Sequence, residues 1–223
     1  MKSVIITGAG SGLGKELALL FAGQGFHIIL TGRTLEKLQS VEQEIHEAGG
    51  SAQSYTVDIT QTKDISKLMT QLQIYELYGL INNAGVGHFG PVNSLSAHDI
   101  QEMFETNTLG TIYMTQAVLP LLKEKNEGLL MNIISTAGLK GKVNESVYVA
   151  SKFAVRGFTE SLLKELENTN IKVKAVYMGG MDTPFWDEND HIKDKSRLRS
   201  PKAVAAMILD HIEEDSIVIE PKK

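Results

Sequence analysis

Short apolar runs rich in β-branched residues alternate along the chain with longer stretches whose apolar positions recur every three or four residues. The runs at 4–7, 27–31, 52–57, 80–83, 129–134 and 173–177, with a last short one at 216–219, predict strands. Between them, 13–24, 35–48, 64–72, 99–122, 147–168 and 201–213 predict helices. Strands separated by helices pair in parallel, because a parallel neighbour is reached only through a crossover connection. Helices on both faces then account for strands that are apolar on both sides. The pattern predicts an α/β fold: a doubly wound parallel sheet of about seven strands flanked by helices on both faces, within one domain spanning 1–223. One strongly polar insertion, "DENDHIKDKSRLRS" at 187–200, follows the sixth strand. That is the edge at which open α/β sheets place their ligands, so 184–200 is expected to form a substrate lid.

Composition narrows the class without naming a reaction. The hydrophobic fraction of 42% and charged fraction of 22% are those of an ordinary globular protein. No window reaches the roughly 18 uninterrupted apolar residues of a membrane span. The opening "MKSVIITGAG" runs into a strand and glycines, unlike a secretory signal, so a cytoplasmic location is expected. With no cysteines, disulfides and thiolate metal sites are excluded, and no metal site is predicted. A net charge of −5 without a basic block argues against a nucleic-acid partner.

The first chemical signal is "TGAGSGLGKELA", which ends the first strand and opens the first helix. Thr7 closes the strand, Gly8 allows a tight turn, Gly12 lets the backbone approach a phosphate, and Gly14 lets helix and strand pack closely. With Ser11 and Leu13 these residues form the expected phosphate-binding turn of a Rossmann-like dinucleotide site, at the positive end of a helix. An acid about 20 residues further on ordinarily accepts hydrogen bonds from an NAD ribose. Here the second strand ends "ILTGRT", with Gly32 at that place and Arg33 beside it. An arginine can grip a 2′-phosphate that a carboxylate would repel, so NADP(H) is expected over NAD(H). Asp58, after the third strand, is placed to accept from an adenine amine or to cap the next turn.

A second signal is "YVASK", in which Tyr148 and Lys152 stand four apart, on one face of a predicted helix. Together with the motifs around them, these residues carry a resemblance to the short-chain dehydrogenase/reductase family over nearly the whole chain. The family's glycine pattern appears at Thr7, Gly8, Gly12 and Gly14, and its Asn-Asn-Ala-Gly motif at Asn82, Asn83, Ala84 and Gly85. Its helix asparagine matches Asn107, its serine after the fifth strand Ser135, and its Tyr-x-x-x-Lys the Tyr148–Lys152 pair. The resemblance implies that Tyr148 exchanges a proton with a carbonyl or alcohol oxygen and that Ser135 orients that oxygen. It implies that Lys152 holds the nicotinamide ribose and lowers the tyrosine pKa, and that Asn107 anchors a relay water. Asn83, Ala84 and Gly85 join the cofactor-binding set, as do Gly179 and Thr183 of "YMGGMDTPFW", although Met178 stands where the family commonly has proline.

The expected reaction is hydride transfer between a nicotinamide and a small carbonyl or alcohol substrate, as in a carbonyl reductase. The family resemblance further implies a homodimer or homotetramer. The alternative is a regulatory protein that binds NADP(H) without turnover; such proteins tend to lose the tyrosine or lysine, and both are kept here. For the substrate side, His88, Phe89, Val143, Asn144, Glu145, Phe185 and Trp186 are candidates. His88 and Glu145 could equally face solvent, whereas Phe185 and Trp186 open the insertion as an aromatic pair able to fold inward.

Overall fold

In the first strand, β1 (Lys2–Thr7), Val4 and Ile6 face one layer of helices and Ile5 the other, and none of the three is exposed. That alternation is the two-sided burial expected of a central parallel strand. The computed structural model describes residues 1–186, 191, 194, 196 and 198–221. The elements after β1 run α1 (Gly12–Gly23), β2 (His27–Gly32), α2 (Leu35–Glu47), β3 (Ser51–Thr56), α3 (Thr62–Gln71) and β4 (Glu76–Asn82). Then come α4 (Ala97–Met103), α5 (Thr111–Lys125), β5 (Gly128–Ile133), α6 (Ser146–Glu165), β6 (Ile171–Met178), α7 (Pro201–Asp210) and β7 (Ser216–Ile219). The strands form one parallel sheet in the order β3-β2-β1-β4-β5-β6-β7.

Leu17, Phe21, Leu38, Ile45 and Ile208 pack the α1, α2 and α7 side of the sheet. Ile65, Leu68, Met114, Val118 and Leu162 pack the α3, α5 and α6 side. Each layer buries one stripe of its helices against one face of the sheet, which is the main favourable term in holding the three layers together. Beneath the strand ends runs a buried polar ladder: Asn82 Nδ2 donates to Asn132 Oδ1 (2.9 Å) and Thr115 Oγ1 (3.0 Å). Asn132 Nδ2 in turn donates to Thr159 Oγ1 (2.8 Å), so β4, β5, α5 and α6 are tied at one level.

Two expected elements differ. The strand predicted at 80–83 begins at Glu76, because Gly79 interrupts the apolar run in sequence yet fits the sheet. A Cβ there would lie 3.1 Å from the Leu129 carbonyl oxygen, so glycine allows β4 and β5 to lie close. The helix predicted at 99–122 is helical but not one α-helix: Phe104–Gly110 between α4 and α5 is a π-helical turn. Its Asn107 side chain is pinned to the Val86 backbone at both ends, accepting from the amide (2.8 Å) and donating to the carbonyl (2.9 Å). Gly110 is pressed against Ile59, where a side chain would collide. Other boundaries shift by a few residues, as helix ends do.

Of the lid expected at 184–200, residues 187–190, 192, 193, 195 and 197 lie outside the described residues. The base of the insertion is tied: Met181 bridges to Arg199, and the Asp182 amide donates to the Arg199 carbonyl (3.0 Å). Among the described residues no helix is long and apolar enough to cross a membrane.

Candidate active site

The sheet reverses its winding between β1 and β4, and above their carboxyl ends lies a cavity of about 320 Å³. Its size falls at the small end of ligand sites, and its position is where open α/β sheets bind. One end is walled by Gly8, Ser11, Gly12, Leu13, Arg33 and Asp58; the other by Ser135, Tyr148 and Lys152, with Asn83, Ala84 and Gly85 between.

At the glycine end, Gly8 has φ +64° and Gly12 φ +54°, values that favour glycine. A Cβ on Gly8 would lie 2.9 Å from the Ala84 backbone, and one on Gly14 would collide with the Gly8 carbonyl and the Asn83 side-chain Nδ2. Thr7 locks the turn to β4: its Oγ1 accepts from the Asn83 and Ala84 amides at 3.0 Å each. Asn83 Nδ2 donates to the Thr7 carbonyl at 2.9 Å. Thus Thr7 and Asn83 act as braces for the turn. Ser11 begins α1 without a side-chain cap, so this twelve-residue helix turns uncapped amides and a positive end toward the cavity.

Arg33 lines the cavity with its side chain 64% exposed, and its Nη1 lies 3.9 Å from Glu102 Oε1. Gly32 has space, since a Cβ would first meet a Leu38 methyl at 3.4 Å. Asp58 does cap its turn: Oδ1 accepts from the Thr60 amide (2.9 Å) and hydroxyl (2.8 Å), while the residue also lines the cavity. β6 continues through Met178, which pairs with Ile219, and the Gly179 amide donates to the Ile219 carbonyl (2.9 Å). Strand pairing therefore restrains the backbone that a proline ring would otherwise fix. Thr183 brings its methyl against the glycine turn, 3.2 Å from where a Gly12 Cβ would stand.

At the other end, Tyr148 and Lys152 are both buried on α6. Lys152 Nζ lies 5.7 Å from the centre of the Tyr148 ring and donates to the Ile133 carbonyl at 3.4 Å. Burial pulls Lys152 down to about 8. The expected lowering of the Tyr148 pKa is not found. Burial pushes it well up, a hydrogen bond with Ser135 works the other way, and the charge of Glu145 pushes it up further. Desolvation outweighs the Ser135 hydroxyl, and the phenol keeps its proton. Ser135 has φ +114° and ψ 150°, a backbone region otherwise nearly reserved to glycine, and its Oγ accepts from the Ala137 amide (3.2 Å).

Asn107 lies outside the cavity wall. Besides its bonds to Val86, it donates to Ser151 Oγ (3.0 Å), which donates to the Tyr148 carbonyl (2.8 Å). Asn107 Oδ1 and Lys152 Nζ converge over Gly85, 3.2 and 3.5 Å from where a Cβ on that residue would stand.

The substrate-side expectations divide. Glu145, Phe185 and Trp186 line the cavity. His88 turns away, 2.8 Å from Glu102 Oε2 and 3.6 Å from Asp99 Oδ1. Those carboxylates belong to α4, whose packing no local sequence pattern discloses. Val143 is 85% exposed, and Asn144, at φ +61°, forms a turn whose carbonyl accepts from the Gly90 amide. Phe89 packs on the wall residues instead, 5.3 Å from Tyr148 and 5.1 Å from Trp186 between ring centres. Lys142, Val86, Thr106 and Met181 also line the cavity and were not legible in sequence. Lys142 stood only three residues before Glu145 in a polar loop, without a periodicity to orient it.

A parallel sheet that reverses strand order over a glycine turn defines the class of doubly wound, dinucleotide-binding α/β proteins. The chain belongs to the short-chain dehydrogenase/reductase family of oxidoreductases: the sequence profile of the short chain dehydrogenases matches residues 2–194. It is 31% identical, over 97% of its length and 93% of the relative's, to a sepiapterin reductase of Chlorobaculum tepidum. It is 37% identical to retinol dehydrogenase 8 of Bos taurus over 82% of its length, which spans only 60% of that relative. Among solved structures, a short-chain dehydrogenase from Sphingobium yanoikuyae in complex with NADPH superposes with a TM-score of 0.90 at 25% identity, covering 99% of this chain and 87% of that one. Other similar structures hold NADP or NAD.

Proposed function

We propose that the protein is an NADP(H)-dependent oxidoreductase that interconverts a carbonyl and an alcohol, acting as a carbonyl reductase. The observation that carries this reading is the gathering of Ser135, Tyr148 and Lys152 at one end of a cavity whose other end is the glycine turn with Arg33. The glycine turn fits a dinucleotide: its positive φ values, missing Cβ atoms and the uncapped start of α1 suit a pyrophosphate. Arg33, with Gly32 in place of an acid, suits the 2′-phosphate. Bound there, NADP(H) would supply or accept the hydride.

The chain's own groups handle the proton. Tyr148, neutral because it is buried, donates its proton to the carbonyl oxygen in reduction. Ser135 holds that oxygen by a hydrogen bond, and the charge of Lys152 stabilises the tyrosinate that remains. Asn107 Oδ1 and Lys152 Nζ, converging over Gly85, suit an anchored water that returns the proton from solvent. The same reading takes a cytoplasmic protein and a homodimer or homotetramer; Leu121 of α5 and Phe153 of α6, 39% and 41% exposed, suit such pairing. No observation favours a regulator without turnover.

The test is NADPH consumption with a panel of ketones and aldehydes, by wild type and Tyr148→Phe. The variant is expected to bind NADPH as wild type does and to lose turnover about 10²–10⁴-fold, the scale of general acid catalysis. Turnover near wild type in the variant would remove Tyr148 from the chemistry.

A further inference from the structure

Glu145, Tyr148 and Lys152 stand at i, i+3 and i+7, so they form one stripe along the start of α6. Lys152 is at the end of β5, the side of the cavity that continues to Gly85 and the glycine turn. Glu145 is one turn of helix on the opposite side of Tyr148, next to the aromatic wall. It lines the cavity although only 8% of the residue is exposed.

A carboxylate buried among rings is costly unless it is paired. Its partners here are His191, with Nε2 3.0 Å from Oε1, and Lys142, whose Nζ lies 3.8 Å from Oε2. The lysine contact is longer than a hydrogen bond, and an ionised carboxylate offers about four acceptor positions. The His191 ring lies flat against Phe89, 4.6 Å and 12° apart, and Phe89 stacks on Trp186 at 5.1 Å and 25°. Phe185 stands edge-on to Trp186 at 4.9 Å. The wall therefore offers planar apolar surface with one acid set into it, about 5 Å along the helix axis from the proton-donating residue.

The acid also works against the chemistry of its neighbour, since its charge disfavours ionisation of Tyr148. A substrate group that neutralises Glu145 would relieve that penalty at the moment the proton leaves. The acid is thus disadvantageous for a purely apolar ketone and useful for one that brings a donor.

Building on the carbonyl-reductase reading above, we propose that Glu145 is a specificity residue. It selects carbonyl compounds that carry a planar, conjugated body and, at the end away from the reacting carbonyl, a hydrogen-bond donor, best of all a cationic amine. The planar body lies on the Phe185–Trp186 wall and the donor on the Glu145 carboxylate. Neutralising the carboxylate makes the effect appear in kcat as well as in KM, which a merely structural Glu145 would not produce.

Three para-substituted acetophenones of nearly equal shape test this: 4-(aminomethyl)-, 4-(hydroxymethyl)- and 4-ethylacetophenone. Trp186 is the chain's single tryptophan and lines the cavity, so its fluorescence reports binding without turnover, measured with NADP⁺ present. Wild type is expected to bind the aminomethyl compound roughly tenfold more tightly than the ethyl compound, with the hydroxymethyl compound between, as for a hydrogen bond to a charged group. Glu145→Gln should abolish the preference for the amine while keeping affinity for the ethyl compound. Lys142→Met, which removes a competing cation, should increase that preference. Equal wild-type affinities, or a preference unchanged in Glu145→Gln, overturn the proposal; if Glu145→Gln does not fold, the wild-type ranking and Lys142→Met decide it. NADPH consumption with the same compounds is read separately. Consumption without donor preference overturns the subsite and keeps the reaction. Donor preference without consumption keeps the subsite and overturns the reaction.

Discussion

Lys152 Nζ lies 5.7 Å from the centre of the Tyr148 ring, one helical turn along α6, and the two are buried together. Burial moves them in opposite directions: the phenol is held neutral, and the ammonium is brought down to about 8. At neutral pH the phenol therefore holds its proton beside a charged ammonium, the state that the proposed reduction would draw on.

A pH dependence follows from that arrangement. As pH rises through about 8, Lys152 loses its charge while Tyr148 keeps its proton. The kcat/KM for NADPH, which reports groups of the free enzyme, is expected to be level below that pH and to fall about tenfold per unit above it. A level profile up to pH 10 in the wild type would separate Lys152 from cofactor binding. On stability the sign is reversed. An unfolded lysine holds its proton up to about 10.5, and the raised Tyr148 works the other way only above its unfolded value of about 10, so between about 8 and 10 the unfolded chain binds more protons and stability rises with pH. Below that window the buried charge is a cost. Lys152→Met, which keeps the stem, is expected to raise Tm at pH 7 while losing turnover, and a lowered Tm would contradict it.

Ser135 combines a hydroxyl in the cavity with a backbone at φ +114°. Such a conformation costs a side-chain-bearing residue about 1–3 kcal/mol. Glycine relieves it but adds about 0.5–1 kcal/mol of unfolded-state freedom. Ser135→Gly is therefore expected to exceed Ser135→Ala in stability by about 1 kcal/mol in urea unfolding, with both variants catalytically impaired. A Ser135→Ala variant more stable than Ser135→Gly by about 0.5–1 kcal/mol would mean the backbone there is unstrained.

Arg33 and Glu102 lie 3.9 Å apart at the glycine-turn end of the cavity, with the arginine mostly exposed. Arg33→Ala is expected to lower kcat/KM for NADPH about tenfold and leave NADH nearly unchanged. A charge-assisted hydrogen bond contributes about 1.5–3 kcal/mol, and solvent and salt draw it to the low end. In the proposed NADP(H) reading, Glu102 would compete with the phosphate for the guanidinium. Glu102→Gln should therefore raise NADPH preference, by no more than about fivefold, since exposed pairs contribute at most about 1 kcal/mol. Gly32→Asp, which has space beside Leu38, should turn preference toward NADH. Equal loss of both cofactors in Arg33→Ala would show that this side chain does not read the phosphate.

Much of the fold was legible because its signals are local. Apolar runs such as that around Val4, Ile5 and Ile6 declare buried strands, and the helices between them leave parallel pairing as the solution. The glycine turn was legible for a similar reason, since its positive φ values and close contacts admit little else at Gly8, Gly12 and Gly14. Tyr148 and Lys152 were legible because four residues on a helix bring two side chains to one face.

What the sequence left open depended on contacts between distant segments. At the π-helical turn of Phe104–Gly110 the distant Val86 backbone holds Asn107, and no helix propensity encodes that hold. His88 had no local reason to prefer Glu102 and Asp99 of α4 over the cavity. The direction of the Tyr148 shift reversed expectation because a lysine four residues on can be read from a sequence, whereas the depth of burial that raises the phenol cannot. Glu145 could have faced solvent or substrate with the same neighbours in sequence. Only the packing of His191, Phe89 and Trp186 around the start of α6 turned it inward, because a side chain's environment is set by segments brought together in folding.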